Sequence, residues 1–113
     1  NDPFTGYPQM HRGIDISNAI GTPIVSTALG RVTYAGFDGG GLGNMITIDH
    51  GFGYVTRYGH LSKLLAKTGQ AVTRGQVIGL MGSTGYSTGS HLHYEVYRNG
   101  KVLNPREFML NQQ

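Results

Sequence analysis

Two short stretches of this chain carry residue types that can do chemistry. The first is His91-Leu92-His93-Tyr94-Glu95-Val96-Tyr97, which alternates between apolar and polar or aromatic positions. Alternation is the signature of a half-buried strand, with Leu92, Tyr94 and Val96 on one face and His91, His93, Glu95 and Tyr97 on the other. Two imidazoles at i and i+2 then point the same way, about 6.6 Å apart along the strand. At that separation one can bind a metal while its neighbour reaches a water on that metal. The second stretch is His11-Arg12-Gly13-Ile14-Asp15. On a helix a spacing of four would put His11 and Asp15 on one face, but Gly13 followed by Ile14 and Ile16 argues against a helix. A straight strand holds the two too far apart to share an ion, and a bend at Gly13 brings them together. Taken alone, each pattern is short and is as readily a pair of solvent-facing side chains.

His60 adds a fifth candidate, so His11, Asp15, His60, His91 and His93 all fall at turns or strand positions where a β-fold can bring them together. Two histidines and one carboxylate make a three-ligand zinc site with its fourth position open, whereas a structural site fills all four. Nitrogen and carboxylate oxygen suit Zn²⁺, which lowers the pKa of a bound water towards ~7. Two histidines are then left over. They can hold and deprotonate the water, stabilise the oxyanion and protonate a leaving amine. The chain has no cysteine, which excludes disulfides, a thiol nucleophile and the Cys-rich structural zinc sites.

The elements that must position these residues are strands. At 113 residues the chain is one domain. Hydrophobic content of 38% and charged content of 13% exclude a disordered chain and a helical bundle. Nineteen glycines, dispersed rather than in a tract, imply many tight turns and a mainly β, antiparallel fold. Residues 1–9 read as a loop, 22–27 and 31–37 as strands turning at Leu29-Gly30, and Gly39 to Gly43 as a loop. That loop lacks the lysine and following helix of a phosphate-binding loop. Residues 44–50 and 54–60 read as strands joined at Gly51-Phe52-Gly53, and the i+2 spacing sets Tyr58 and His60 on one face. Leu61–Ala66 reads as one or two helical turns. Two Gly-Gln turns, Gly69-Gln70 and Gly75-Gln76, bracket a short strand, and 77–81 reads as another. The pair 91–98 and 101–103 joins at Asn99-Gly100, a type I′ hairpin signal. Asn104-Pro105-Arg106-Glu107 reads as the start of a short C-terminal helix capping one end of the sheet.

Net charge of +3 with a pI near 9.4 suits an anionic partner such as a cell wall. No Lys/Arg cluster is interleaved with aromatics, so a nucleic-acid partner is not expected. No apolar run is long enough to span a membrane. The chain opens at Asn1 with no visible signal peptide, which reads as a mature domain or one excised from a longer envelope protein.

Taken in order, His11-x-x-x-Asp15, Tyr58-Gly59-His60-Leu61 and Gly89-Ser90-His91-Leu92-His93 resemble the lysostaphin-like zinc endopeptidases, which cut peptide cross-links in bacterial peptidoglycan. The resemblance runs from about residue 10 to 108. It includes Gly21-Thr22-Pro23-Ile24, Gly30-Arg31-Val32, Ile48-Asp49-His50-Gly51 and Gly75-Gln76-Val77-Ile78-Gly79. It implies one Zn²⁺ per chain held by His11, Asp15 and His93, with His60 and His91 as the non-ligand catalytic pair. It also implies a small antiparallel β structure with an open groove walled by loops. The expected partners are peptidoglycan peptide stems or cross-bridges, met by a monomer in the periplasm or outside the cell. Ser90 departs from the proline many members carry before the first histidine, a change in loop stiffness that leaves the ligand set intact.

Two other readings compete. A non-catalytic cell-wall-binding or amidase-activating module of the same fold would have lost ligands, and here all five chemical positions are filled. A biotinyl or lipoyl carrier would explain the Gly-Gln turns but lacks the hairpin-tip lysine and leaves the histidines unexplained. Among the remaining candidates, His50 reads as structural. Tyr58 either lines the groove or packs, and Glu95 either orients a ligand imidazole or faces solvent. Arg12 and Asn44 read as ordinary surface and turn residues.

Overall fold

The computed structural model describes residues 14–17, 19–83 and 91–103, and of Ile14, Asp15, Ser17 and His91 the backbone alone. Within them lie nine strands: β1 (Ile14–Ser17), β2 (Pro23–Val25), β3 (Gly30–Asp38), β4 (Gly43–Gly51), β5 (Tyr54–Leu64), β6 (Ala71–Val72), β7 (Val77–Met81), β8 (His91–Arg98) and β9 (Lys101–Leu103). All pairings are antiparallel. The main sheet runs β1-β8-β5-β4-β3-β6, with β9 beside β8, β7 beside β5 and β2 beside β7. The mainly β, antiparallel expectation therefore holds. The expected C-terminal helix lies outside the described residues.

The hairpins follow from residues that accept positive φ. Asn99 and Gly100 have φ of 52° and 81°, the two left-handed positions that a type I′ turn requires. Phe52 and Gly53 at the β4–β5 turn do the same with 54° and 84°. One expectation is overturned. Leu61 to Leu64 is not helical but continues β5, because Leu61, Lys63 and Leu64 pair with Met81, Leu80 and Gly79 of β7. The local Ser-Lys-Leu-Leu pattern is compatible with a helix, and the unsatisfied edge of β7 decides against it.

One face of the sheet is the core. Ile46 and Ile48 of β4, Tyr58 and Leu61 of β5, Ile78 and Met81 of β7, and Tyr94 and Val96 of β8 are buried together. Burial of each aliphatic side chain contributes about 1.5–3 kcal/mol. On this face, Tyr58 and Tyr94 with Ile16, Ile24, Thr27 and Leu92 also line a mostly apolar recess of about 220 Å³.

Candidate active site

The alternation read from β8 holds. Leu92, Tyr94 and Val96 are in the core, while His93 and Tyr97 are half-buried on the opposite face. Glu95 lies on that face too, yet it is only 4% exposed. β8 is flanked by β5 on one side and β1 on the other. The register sets Gly59 of β5 across from His93 and, on the other side, Asp15 of β1 across from the same residue. Ser17 stands across from His91. Directly opposed residues are the nearest neighbours an antiparallel ladder offers. The backbone of Asp15 therefore occupies the position closest to His93 that β1 can provide.

His60 reaches the same face by a different device. Tyr58 is paired with Ile46 and Leu61 with Asn44, so Gly59 and His60 together oppose one residue of β4. This is a β-bulge. Tyr58 and Leu61 both enter the core although three apart, and His60 turns away between them. The expectation that Tyr58 and His60 share a face is thus corrected: the bulge breaks the period of two. Its backbone cost is visible at His60, whose φ is +63°. Left-handed non-glycine residues cost about 1–3 kcal/mol and collect at functional sites. The His60 N–H donates to the Leu42 carbonyl at 2.6 Å, which holds the bulge against the β3–β4 turn. A Cβ at Gly59 would meet Leu42 Cδ2 at 2.9 Å, so a larger residue there would have to displace the Leu42 side chain.

The outcome is an imidazole pair. The His60 and His93 rings lie 6.1 Å apart between centroids at an interplanar angle of 67°. His60 is 6% exposed. His93 Nε2 lies 2.9 Å from Glu95 Oε2. The other carboxylate oxygen, Oε1, accepts from Tyr97 OH at 3.0 Å and from Arg57 Nη1 at 3.2 Å. Burial alone would raise the Glu95 pKa, but the hydrogen bond and charge of His93, followed by the Tyr97 hydrogen bond and the Arg57 charge, hold it below the usual carboxylate range. Arg57 is shifted upward: burial opposes its charge, and Tyr97 and Glu95 more than restore it.

Of the expected site residues, the structure brings His60 and His93 together as side chains and sets Asp15 and His91 on adjoining backbone positions. His11 lies outside the described residues, and so does Arg12. Among the described residues there is no cluster of three side chains able to hold a metal, since His93 alone of the expected donors has its side chain described. His93, the one expected donor with a described side chain, has surroundings compatible with a zinc ligand. An imidazole whose second nitrogen is held by a buried carboxylate is the usual arrangement of a ligating histidine. His50 does something else: Nδ1 donates to the Leu29 carbonyl at 2.8 Å, and Nε2 is hydrogen-bonded to Thr56 Oγ1 at 2.7 Å. Asn44 Nδ2 donates to the Leu61 carbonyl at 3.1 Å, a role within the sheet. Arg57 is the residue that sequence reasoning missed. It faces Glu95 only through the β5–β8 register, and no spacing along the chain reports that.

The sequence pattern of peptidase family M23 matches residues 9–105. The peptidoglycan DD-endopeptidase ShyA of Vibrio cholerae is 46% identical over 108 residues, covering 90% of this chain and 24% of that protein. The catalytic domain of the antimicrobial peptidase lysostaphin from Staphylococcus simulans superposes with a TM-score of 0.86 at 37% identity, covering 95% of this chain and 88% of that one. A zinc-containing peptidase from Vibrio cholerae superposes with a TM-score of 0.79 at 39% identity, covering 90% and 33%. The chain spans about a quarter of the length of the curated relatives it matches.

Proposed function

The chain belongs to peptidase family M23, and from that membership we propose that it is a zinc-dependent endopeptidase that hydrolyses peptide cross-links of bacterial peptidoglycan. The observation that carries this reading is the His60–His93 pair: a strained bulge delivers one buried imidazole to the face where a second is tethered to a carboxylate. The similarity to a zinc-containing peptidase and to a peptidoglycan DD-endopeptidase supports the metal and the substrate class.

In this reading His11, Asp15 and His93 hold one zinc ion, and His60 and His91 act without binding it. Zinc held there supplies Lewis acidity, polarising the scissile carbonyl and acidifying a water. The protein's own groups do the rest. His60 and His91 are the proton carriers, one imidazole taking the proton of the attacking water and returning it to the departing amine nitrogen. Burial of His60 keeps bulk water from competing for that proton. Net positive charge favours approach to an anionic wall. No helix among the described residues is long and apolar enough to cross a membrane. We place the domain in the cell envelope or outside the cell, acting as a monomer.

The test is mass spectrometry of fragments released from purified sacculi by zinc-loaded protein, with sacculi of different cross-link chemistry. Release of cross-link-cleaved muropeptides, abolished by a chelator and restored by zinc, supports the reading. Binding to sacculi without any release would make the domain a non-catalytic wall-binding or amidase-activating module instead.

A further inference from the structure

We propose that Arg57, Glu95 and Tyr97 form a clamp that sets the tautomer of His93 and so makes Nδ1 its metal-binding nitrogen. The link to metal rests on the zinc reading above; the tautomer itself does not. The two oxygens of Glu95 have different partners. Oε1 accepts from Tyr97 OH at 3.0 Å and from Arg57 Nη1 at 3.2 Å. Oε2 faces His93 Nε2 at 2.9 Å. A carboxylate has no proton to give, so the hydrogen in that last contact belongs to Nε2. A neutral imidazole carries one N–H and one lone pair, so the lone pair of neutral His93 falls on Nδ1. The Arg57 guanidinium is held over the Tyr97 ring at 5.8 Å, which fixes both donors on the same oxygen. All four side chains stand on alternate positions of β5 and β8 on one face, with Arg57 directly across from Glu95.

This arrangement predicts an unusual order of variants. In Glu95→Gln the shape is kept, but the two donors at the Oε1 position still demand an acceptor. Arg57 can only donate, so the amide oxygen must take that position and the amide NH₂ takes the other. The NH₂ then donates to His93 Nε2, which becomes the acceptor, and the ring hydrogen moves to Nδ1. In Glu95→Ala neither tautomer is imposed. A clamp therefore makes Gln worse than Ala for metal binding, whereas a packing role makes Ala worse than Gln.

Long-range ¹H–¹⁵N NMR of the histidine rings in metal-free protein, above the pH range where histidine protonates, reads the tautomer directly. Zinc affinity by chelator competition reads its consequence. The expected result is Nε2–H at His93 in the wild type and Nδ1–H in Glu95→Gln. Zinc affinity in Glu95→Gln should fall about 10–100-fold, the range for outer partners of a metal ligand, with Glu95→Ala in between. A wild-type His93 carrying its hydrogen on Nδ1, or a Glu95→Gln protein with the wild-type tautomer, overturns the proposal. Should Glu95→Gln not fold, Glu95→Ala takes its place: His93 should lose its fixed Nε2–H tautomer there, and a ring as fully Nε2–H as in the wild type overturns the proposal equally. A wild type that shows Nε2–H but binds no zinc supports the clamp while removing the zinc reading.

Discussion

β5 and β8 carry a polar network on each of their faces, and the two are made of different material. On the core face, Thr27 Oγ1 is hydrogen-bonded to Tyr58 OH at 3.2 Å and to Tyr94 OH at 3.0 Å. Thr56 Oγ1 joins Tyr58 OH at 3.1 Å and His50 Nε2 at 2.7 Å. These groups are neutral and give their bonds to one another. Burial, with Tyr58 alongside, pushes the Tyr94 phenol far up, so it stays a hydroxyl. On the opposite face, Arg57, Glu95, Tyr97 and His93 are joined through charge and end on a half-buried imidazole beside His60. A closed neutral network ties a loop to the sheet and rigidifies it. A charged network that ends on an imidazole prepares a ligand or a proton carrier. The two histidines at the ends show the contrast: His50 is held by neutral oxygens, the Leu29 carbonyl and Thr56 Oγ1, whereas Nε2 of His93 is held by the buried carboxylate of Glu95.

The comparison is broken most sharply by removing an end of the charged network. In His93→Ala, zinc content should drop from one per chain to background and activity with it, whereas Tyr94→Phe, one residue along, should keep its zinc. Metal analysis of the two purified variants measures this, and equal zinc in His93→Ala would end the ligand assignment.

A smaller effect separates carriers from ligands on that same face. His60→Ala should keep its zinc and lose activity by a factor of about 10²–10⁴, the usual contribution of a positioned general acid or base. Loss of zinc in step with activity would move His60 into the ligand set.

On the core face the expected loss is in stability instead. Tyr58→Phe removes the oxygen that serves the Thr27 N–H, the Thr27 hydroxyl and the Thr56 hydroxyl. Leaving buried groups short of a partner costs about 1–3 kcal/mol. Denaturant unfolding should show that cost while activity per folded molecule stays near wild type. A variant as stable as wild type but slow would put Tyr58 in the active face after all.

The smallest effect concerns pH. Burial pushes His50 below the ordinary histidine range, more than the Leu29 carbonyl and the Asp49 charge raise it. Folding therefore favours the neutral ring, and the unfolded chain takes up the proton first, near pH ~6.5. The stability from this group is complete above that value and is lost as pH falls through the lower folded value. Thermal unfolding should show Tm falling by a few degrees on the acid side of neutrality, and falling less in His50→Gln. Parallel curves for the two proteins would assign the acid loss to other groups.

Much of this was legible in the chain itself. The alternation at 91–97, the Asn99-Gly100 turn and the dispersed glycines determine strands and hairpins, because period and turn chemistry are local properties of a backbone with two soft dihedrals. The residue types that suit zinc and proton transfer were legible for the same reason, through donor chemistry and family resemblance. Three things were not. The bulge at Gly59-His60 exists only because β4 pairs with β5 on both sides of it, and it sends His60 to the face opposite the one its i+2 spacing predicts. Leu61–Leu64 is a strand rather than a helical turn because β7 lies alongside to take its hydrogen bonds. Arg57 meets Glu95, and Asp15 stands across from His93, through registers between strands far apart in sequence. Register is a property of two strands at once, set by hydrogen bonds and by which residues must be buried. A single stretch of sequence determines which face each side chain takes along its own strand, and the tertiary structure decides which other residues share that face.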